Sequence, residues 1–206
     1  KIAFLGNMND GLTETVSGVG VSITRYLLLT SFNITSTSGN YATLTSGSLG
    51  SLITGAGTNR FVNWSDYDYE FSIQFRLDRI TNQDIFSGLI DIGTIPGDDA
   101  TMTALHIGFY VQDGTLYASN ANGSSQTKTD VSSGITLTND NYFYFKYDNG
   151  INIKFYINDT LVATHTTNLP SSTTNGENPE FINYIKTVEA VSKQMSIKNN
   201  YQVIIS

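Results

Sequence analysis

The chain has 206 residues, 11 Lys and Arg against 18 Asp and Glu, a formal net charge of −7 and no cysteine. An acidic balance without basic runs excludes a nucleic-acid partner, since phosphate binding rests on clustered Lys and Arg. The lack of Cys excludes disulfides, thiol nucleophiles and Cys-ligated zinc, and two histidines, His106 and His165, are too few for a multi-His metal site.

Charged residues make up only 14% of the chain, yet 12% aromatics and many β-branched residues supply a core. Ser, Thr and Asn provide the polarity, which suits an exposed β-protein. The start at Lys1 rather than Met carries the expectation of a removed upstream segment, either a signal or a larger parent chain. No run approaches the roughly 18 apolar residues of a membrane helix. The best one, Val19 to Leu29, is broken by Ser22, Thr24 and Arg25, so no membrane insertion is expected.

In chain order, Ile2 to Leu5 and Val19 to Leu29 look strand-forming, and Thr30 to Gly57, rich in Ser, Thr and Gly, reads as a loop or flexible edge. Alternation with a period of two then recurs between Gly, Asn and Asp punctuation, the pattern of a sandwich or barrel. It predicts strands over Tyr41 to Thr45, Arg60 to Trp64, Tyr69 to Asp78, Ile85 to Ile92, Ala104 to Val111 and Thr115 to Ser119. Further strands follow at Tyr142 to Tyr147, Ile151 to Ile157, Leu161 to Thr166, Phe181 to Val188 and Gln194 to Ile205.

Two hairpins can be set in register. Asp113-Gly114 favours a two-residue type I′ turn, which pairs Val111 with Leu116, Phe109 with Ala118 and Tyr110 with Tyr117. Phe109, Val111, Leu116 and Ala118 then form a core face, and Tyr110 and Tyr117 the opposite, non-core face. For Tyr142 to Ile157 the hydrophobic pattern selects a three-residue Asp148-Asn149-Gly150 loop, with Phe145 against Ile153 and Phe143 against Phe155. Tyr142, Tyr144, Lys154 and Tyr156 share its wetter face.

At this second hairpin the chain resembles a family. Tyr142-Phe-Tyr-Phe-Lys-Tyr-Asp-Asn-Gly150, Ile153-Lys-Phe-Tyr-Ile-Asn-Asp159 and Leu161-Val-Ala look like the strand pair near the end of concanavalin-A-like lectin/glucanase domains of the laminin-G-like kind. Tyr69 to Leu77, Phe86 to Gly93 and Gly114 to Tyr117 resemble upstream strands of that family, and Thr160 departs from it where Gly is usual. The resemblance implies an all-β, two-sheet antiparallel jelly-roll sandwich. Residues 1–206 would form a single domain, with 1–40 as an N-terminal strand extension.

A glucanase of this superfamily would carry Glu-x-Asp-x-Glu on one strand, because retaining hydrolysis needs two carboxyls about 5 Å apart. Leu89-Ile90-Asp91-Ile92-Gly93 keeps the central Asp and lacks both glutamates, so a non-enzyme is expected. Ile95-Pro96-Gly97-Asp98-Asp99 is a tight acidic loop, and the resemblance implies calcium at such loop ends; Asp98 and Asp99 are the candidate ligands, and a solvated turn is the alternative. Tyr110, Tyr117, Tyr142 and Tyr156 are candidate stacking rings for a sugar, with Asn120 and Asn122 of the Asn120 to Ser125 loop as readers of its hydroxyls. The alternative is that these rings pair across strands or contact another subunit. Sequons at Asn33, Asn63, Asn122 and Asn158 permit glycosylation.

These readings converge on a carbohydrate-binding or structural module, displayed extracellularly or on a virion surface, whose partner is a surface glycan. The alternatives are an assembly protein contacting a structural partner or its own copies, and a glycan-degrading enzyme.

Overall fold

The computed structural model describes residues 2–7, 13–25, 29–35, 37–48, 63–96, 102–172 and 178–205. Among them run fifteen strands: β1 (Ile2–Asn7), β2 (Thr13–Ser17), β3 (Ser22–Arg25), β4 (Leu29–Ile34), β5 (Tyr41–Ser48), β6 (Tyr69–Leu77), β7 (Gln83–Asp91), β8 (His106–Gln112), β9 (Thr115–Ala121), β10 (Gln126–Asp130), β11 (Asn141–Asp148), β12 (Asn152–Ile157), β13 (Thr160–His165), β14 (Pro179–Thr187) and β15 (Lys193–Ile205). They form two antiparallel sheets. The eight-stranded one has the order β13-β12-β11-β6-β15-β4-β3 with β1 also on β15, and the seven-stranded one the order β10-β9-β8-β7-β14-β5-β2. No helix among the described residues is long and apolar enough to cross a membrane.

Alternation sorts each strand into an inward and an outward row. Phe71, Phe75, Phe143, Phe145 and Phe155 of the eight-stranded sheet meet Leu89, Phe109, Phe181 and Ile185 of the seven-stranded sheet, all essentially buried. Phe109 is wedged against Phe143 and Phe155, with ring centroids 5.0 and 5.5 Å apart. Burying each such ring is worth roughly 1.5–3 kcal/mol, so this interleaved row is what holds the two sheets together. Trp64 is also in the core, edge-on to Tyr69 at 5.9 Å.

The first hairpin forms as its sequence dictates: Tyr110 pairs with Tyr117 and Phe109 with Ala118. Asp113 and Gly114 both have positive φ, +52° and +83°, as a type I′ turn requires. In the second hairpin the loop is three residues long but lies one position later, at Asn149-Gly150-Ile151. Phe145 therefore opposes Phe155 and Phe143 opposes Ile157. The pairing moves by two, an even step that leaves every side chain on its expected face. The tilted contact of Phe145 with Phe155, ring centroids 6.0 Å apart, and the Ile151 N–H bond to the Asp148 carbonyl favour this register. Thr160 does not loosen the next turn, because Asn158 and Asp159 take the left-handed conformations (φ +50° and +65°) and Thr160 already pairs with Ile157.

Other expectations fail. Thr30 to Gly57 is not one loop: β4 and β5 occupy much of it, their polar Ser and Thr alternating with core-facing Phe32, Ile34, Ala42 and Leu44. Of Arg60 to Trp64, only Asn63 and Trp64 lie among the described residues; they enter a turn, not a strand. β2 and β10 were not predicted, since Thr13–Ser17 and Gln126–Asp130 are polar edge strands with almost no apolar alternation.

Candidate functional site

The sequence-predicted site residues are not brought together. β8 and β9 belong to the seven-stranded sheet and β11 and β12 to the eight-stranded one, so Tyr110 and Tyr117 lie on one outer face of the sandwich and Tyr142 and Tyr156 on the other. Alternation tells which residues share a face of their own strand, but not which sheet that strand joins.

Tyr110 faces outward yet is only 1% exposed, in a second apolar cluster with Phe86, Ile90, Met102, Ile182 and Tyr184. Its ring is therefore packing, not a platform. Central strands β7, β8 and β14 are apolar on both faces here, and Gly88 and Gly108 pair at the middle of the cluster. A Cβ on Gly108 would come 2.7 Å from the Phe86 ring, so the glycine leaves the room that ring occupies. Tyr117 is half-buried, with the Lys128 ammonium 4.0 Å above its ring.

Asn120 is fully buried between the sheets. Its amide donates to the Thr167 and Asn168 carbonyls and its oxygen meets His165 Nδ1, so it ties the chain after β13 to β9. Asn122 is exposed, but its Oδ1 accepts from the Ser124 and Ser125 N–H groups and the Ser124 hydroxyl, closing the β9–β10 turn. Neither amide is a free reader of sugar hydroxyls through these atoms. Tyr142 remains exposed at 37%, while Tyr156 is half-buried against Tyr144 at 5.3 Å. Tyr144 hydrogen-bonds Glu70, and burial with that neighbouring charge pushes its hydroxyl well above the usual tyrosine range. Asp98 and Asp99 lie outside the described residues, among which no group of three His, Cys, Asp or Glu is arranged to hold a metal.

A cleft of mixed polarity lies elsewhere, on the outer face of the seven-stranded sheet. It has a volume of about 280 Å³ and is lined by Thr15, Thr43, Thr45, Glu180 and Ile182 below, with 92–95 at its side. Strand pairing builds its floor: Thr15 lies opposite Thr43, which lies opposite Tyr184, and Thr13 opposite Thr45, which lies opposite Ile182. Glu180 sits one outward step further along β14, opposite Ile90. The side wall leaves β7 through a turn in which Thr94 N–H bonds the Asp91 carbonyl and Gly93 takes φ +76°.

Glu180 is only 5% exposed, and its Oε1 accepts the Gly93 N–H at 2.9 Å. Burial first, then the nearby Asp91 charge, raise its pKa, against which the Gly93 bond works. Asp91 itself is half-buried at the end of β7, on the same alternation as core-facing Ile85 and Leu89. The outward positions of β7 are instead Asp84, Phe86, Gly88 and Ile90. Sequence reasoning missed Glu180, although a signal was there: it is the lone acid in the outward row Glu180, Ile182, Tyr184 of an otherwise apolar segment.

The two histidines act as ordinary strand residues. His106 bridges the Ala104 carbonyl (2.8 Å) and the Ser119 hydroxyl (2.7 Å), and His165 bridges Asn120 Oδ1 and Thr129 Oγ1. Burial lowers both imidazoles to about 4.

The architecture is that of concanavalin-A-like jelly rolls. No family model and no curated protein matches the chain, but solved structures do. A β-glucanase from Bacillus licheniformis superposes with a TM-score of 0.65 over 98% of this chain and 97% of its own, at 12% identity. The carbohydrate recognition domain of Emp47p gives 0.59 over 98% and 94%, at 8% identity. The botulinum neurotoxin serotype G binding domain gives 0.59 over 98% of this chain and 46% of that one, at 11% identity. At these identities the likeness defines a fold and leaves function to the chain's own residues.

Proposed function

We propose that the chain is a non-catalytic, single-domain carbohydrate-binding module, displayed extracellularly or on a virion surface, that attaches to surface glycan through the Thr-lined groove. The observation that carries this reading is the groove itself. It is a concave site of about 280 Å³ combining threonine hydroxyls, a carboxylate acceptor and the apolar Ile92, Ile95 and Ile182, the mixture that a sugar's hydroxyl rim and apolar ring face call for. Among the matched folds, one is named as a carbohydrate recognition domain and another as a toxin's binding domain, which adds support. The non-catalytic part is supported by β7, whose outward row carries a single carboxyl, Asp84, at the end of the strand away from the groove, where retaining hydrolysis would need a pair about 5 Å apart.

A glycan-array screen with and without millimolar calcium tests the reading, and its calcium arm tests whether Asp98 and Asp99 recruit that ion. Neutral oligosaccharides should bind and β-glucan incubations should release no reducing ends. Turnover that vanishes in Glu180→Gln would replace the module with an enzyme.

A second reading, assembly with a structural partner or further copies, is favoured by the patch of Tyr142, Tyr144, Tyr156 and half-exposed Leu161 on the opposite outer face. Light scattering decides it: a concentration-dependent oligomer dispersed by Tyr142→Ser would support assembly.

A further inference from the structure

Resting on the reading of the Thr-lined groove as the glycan site, we propose that it selects uncharged glycans with adjacent free hydroxyls and rejects acidic ones, and that Glu180 is the residue that sets this preference.

Three observations carry the inference. The first is composition. None of the nine described residues lining the groove is Lys, Arg or His, so none of them neutralises a uronate, sulfate or sialate. The second is the position of Glu180. Its carboxylate lies at the floor with one of roughly four acceptor positions taken by the Gly93 N–H, which leaves room for two hydroxyls of one sugar ring to donate. An anionic substituent seated there would meet the Glu180 carboxylate as a like charge.

The third observation is what Glu180 costs. A carboxylate buried to 5% exposure is normally paired with a cation, and among the described residues no ion pair includes it. The fold does not need the charge. Its one hydrogen bond among the described residues, from the Gly93 N–H, could be accepted equally by a glutamine oxygen. A buried acid at a position where an amide would serve the sheet better points to use on a ligand. The raised pKa has the same sense. An acid whose folded pKa exceeds its unfolded value opposes folding above that pKa, and the opposition fades as pH falls through it. Removing the charge should therefore relieve the fold while harming the site.

The test uses the full chain on an array of neutral glucan, mannan and galactan oligosaccharides beside uronate-bearing, sulfated and sialylated ones. Wild type should bind within the neutral set. Glu180→Gln should lose about tenfold or more of that affinity while melting at or above the wild-type temperature at pH 7. Thr15→Lys, at an exposed groove position that leaves the core untouched, should admit acidic glycans that wild type refuses. Acidic glycans bound by wild type as well as neutral ones overturn the proposal while glycan binding itself survives. So does neutral affinity unchanged in Glu180→Gln, or a melting temperature clearly lowered by that change. No glycan bound at all overturns both this proposal and the function it rests on.

Discussion

Two buried imidazoles make the stability of this sandwich depend on pH in a window where carboxylates contribute little. His106 and His165 are both essentially buried and hydrogen-bonded, and burial lowers each from 6.5 to about 4. Between these values the unfolded chain binds protons that the folded chain refuses, so stability is full above pH 6.5 and falls as pH drops toward 4. At 1.36 kcal/mol per unit, each histidine puts about 3 kcal/mol at stake over the whole window, and about 2 kcal/mol of it is gone by pH 5. Against a typical domain stability of roughly 5–15 kcal/mol, a combined loss of about 4 kcal/mol is large. His165 matters most for architecture, because Asn120 and Thr129 of the seven-stranded sheet hold it from across the sandwich. Urea unfolding from pH 8 to pH 4.5, with imidazole proton shifts followed by NMR, measures both quantities. His165→Gln should flatten about half of the slope. A flat stability profile between pH 7 and 5, or imidazoles titrating near 6.5 in the folded chain, would refute the reasoning.

Much of the fold was legible because alternation and turn chemistry act locally. Asp113-Gly114 fixed one register outright, and the phenylalanines of Tyr142 to Ile157 fixed the faces of another even though its loop moved by one residue. The site was much less legible, for three physical reasons. Tyr110 obeys its predicted face, but the outer face of a central strand is itself apolar here, and a sequence shows alternation without showing what lies over it. Asn120 falls on the inward row opposite Ile107, where an amide is a buried tie rather than a contact for ligand. Tyr117 and Tyr142 are both partly accessible but stand on different sheets, a matter of long-range pairing that no local pattern carries. The groove needs β2, β5, β14 and the turn after β7 side by side, strands drawn from opposite ends of the chain.

The remaining predictions concern packing and calcium. If Asp98 and Asp99 bind calcium, millimolar Ca²⁺ should raise the melting temperature and EDTA should lower it, since the ion stabilises only the folded chain; superimposable melting curves would remove that site. Gly108→Ala should destabilise by about 1–3 kcal/mol, as overpacking does, because its methyl meets the Phe86 ring at 2.7 Å and the Ser87 carbonyl at 2.6 Å. Phe86→Leu in the same chain should recover part of that loss, whereas simple additivity would place the strain elsewhere. The last prediction separates the three aromatics of the first hairpin by burial rather than by face. Phe109→Ala should cost about 3–5 kcal/mol, since the ring is wedged between Phe143 and Phe155 at the centre of the core. Tyr110→Ala should cost a comparable amount, because its ring is as buried as that of Phe109 although it points the other way. Tyr117→Ala should cost less, since its ring is only half-buried at the edge of the outer cluster and one face carries the Lys128 ammonium, a contact worth about 0.5–1 kcal/mol at an exposed site. Equilibrium urea unfolding of the three variants gives the order directly. A Tyr110→Ala cost as small as that of Tyr117→Ala would mean that the outer cluster around Phe86 is open to solvent, and the Tyr110 ring would return to the set of surfaces a ligand could use.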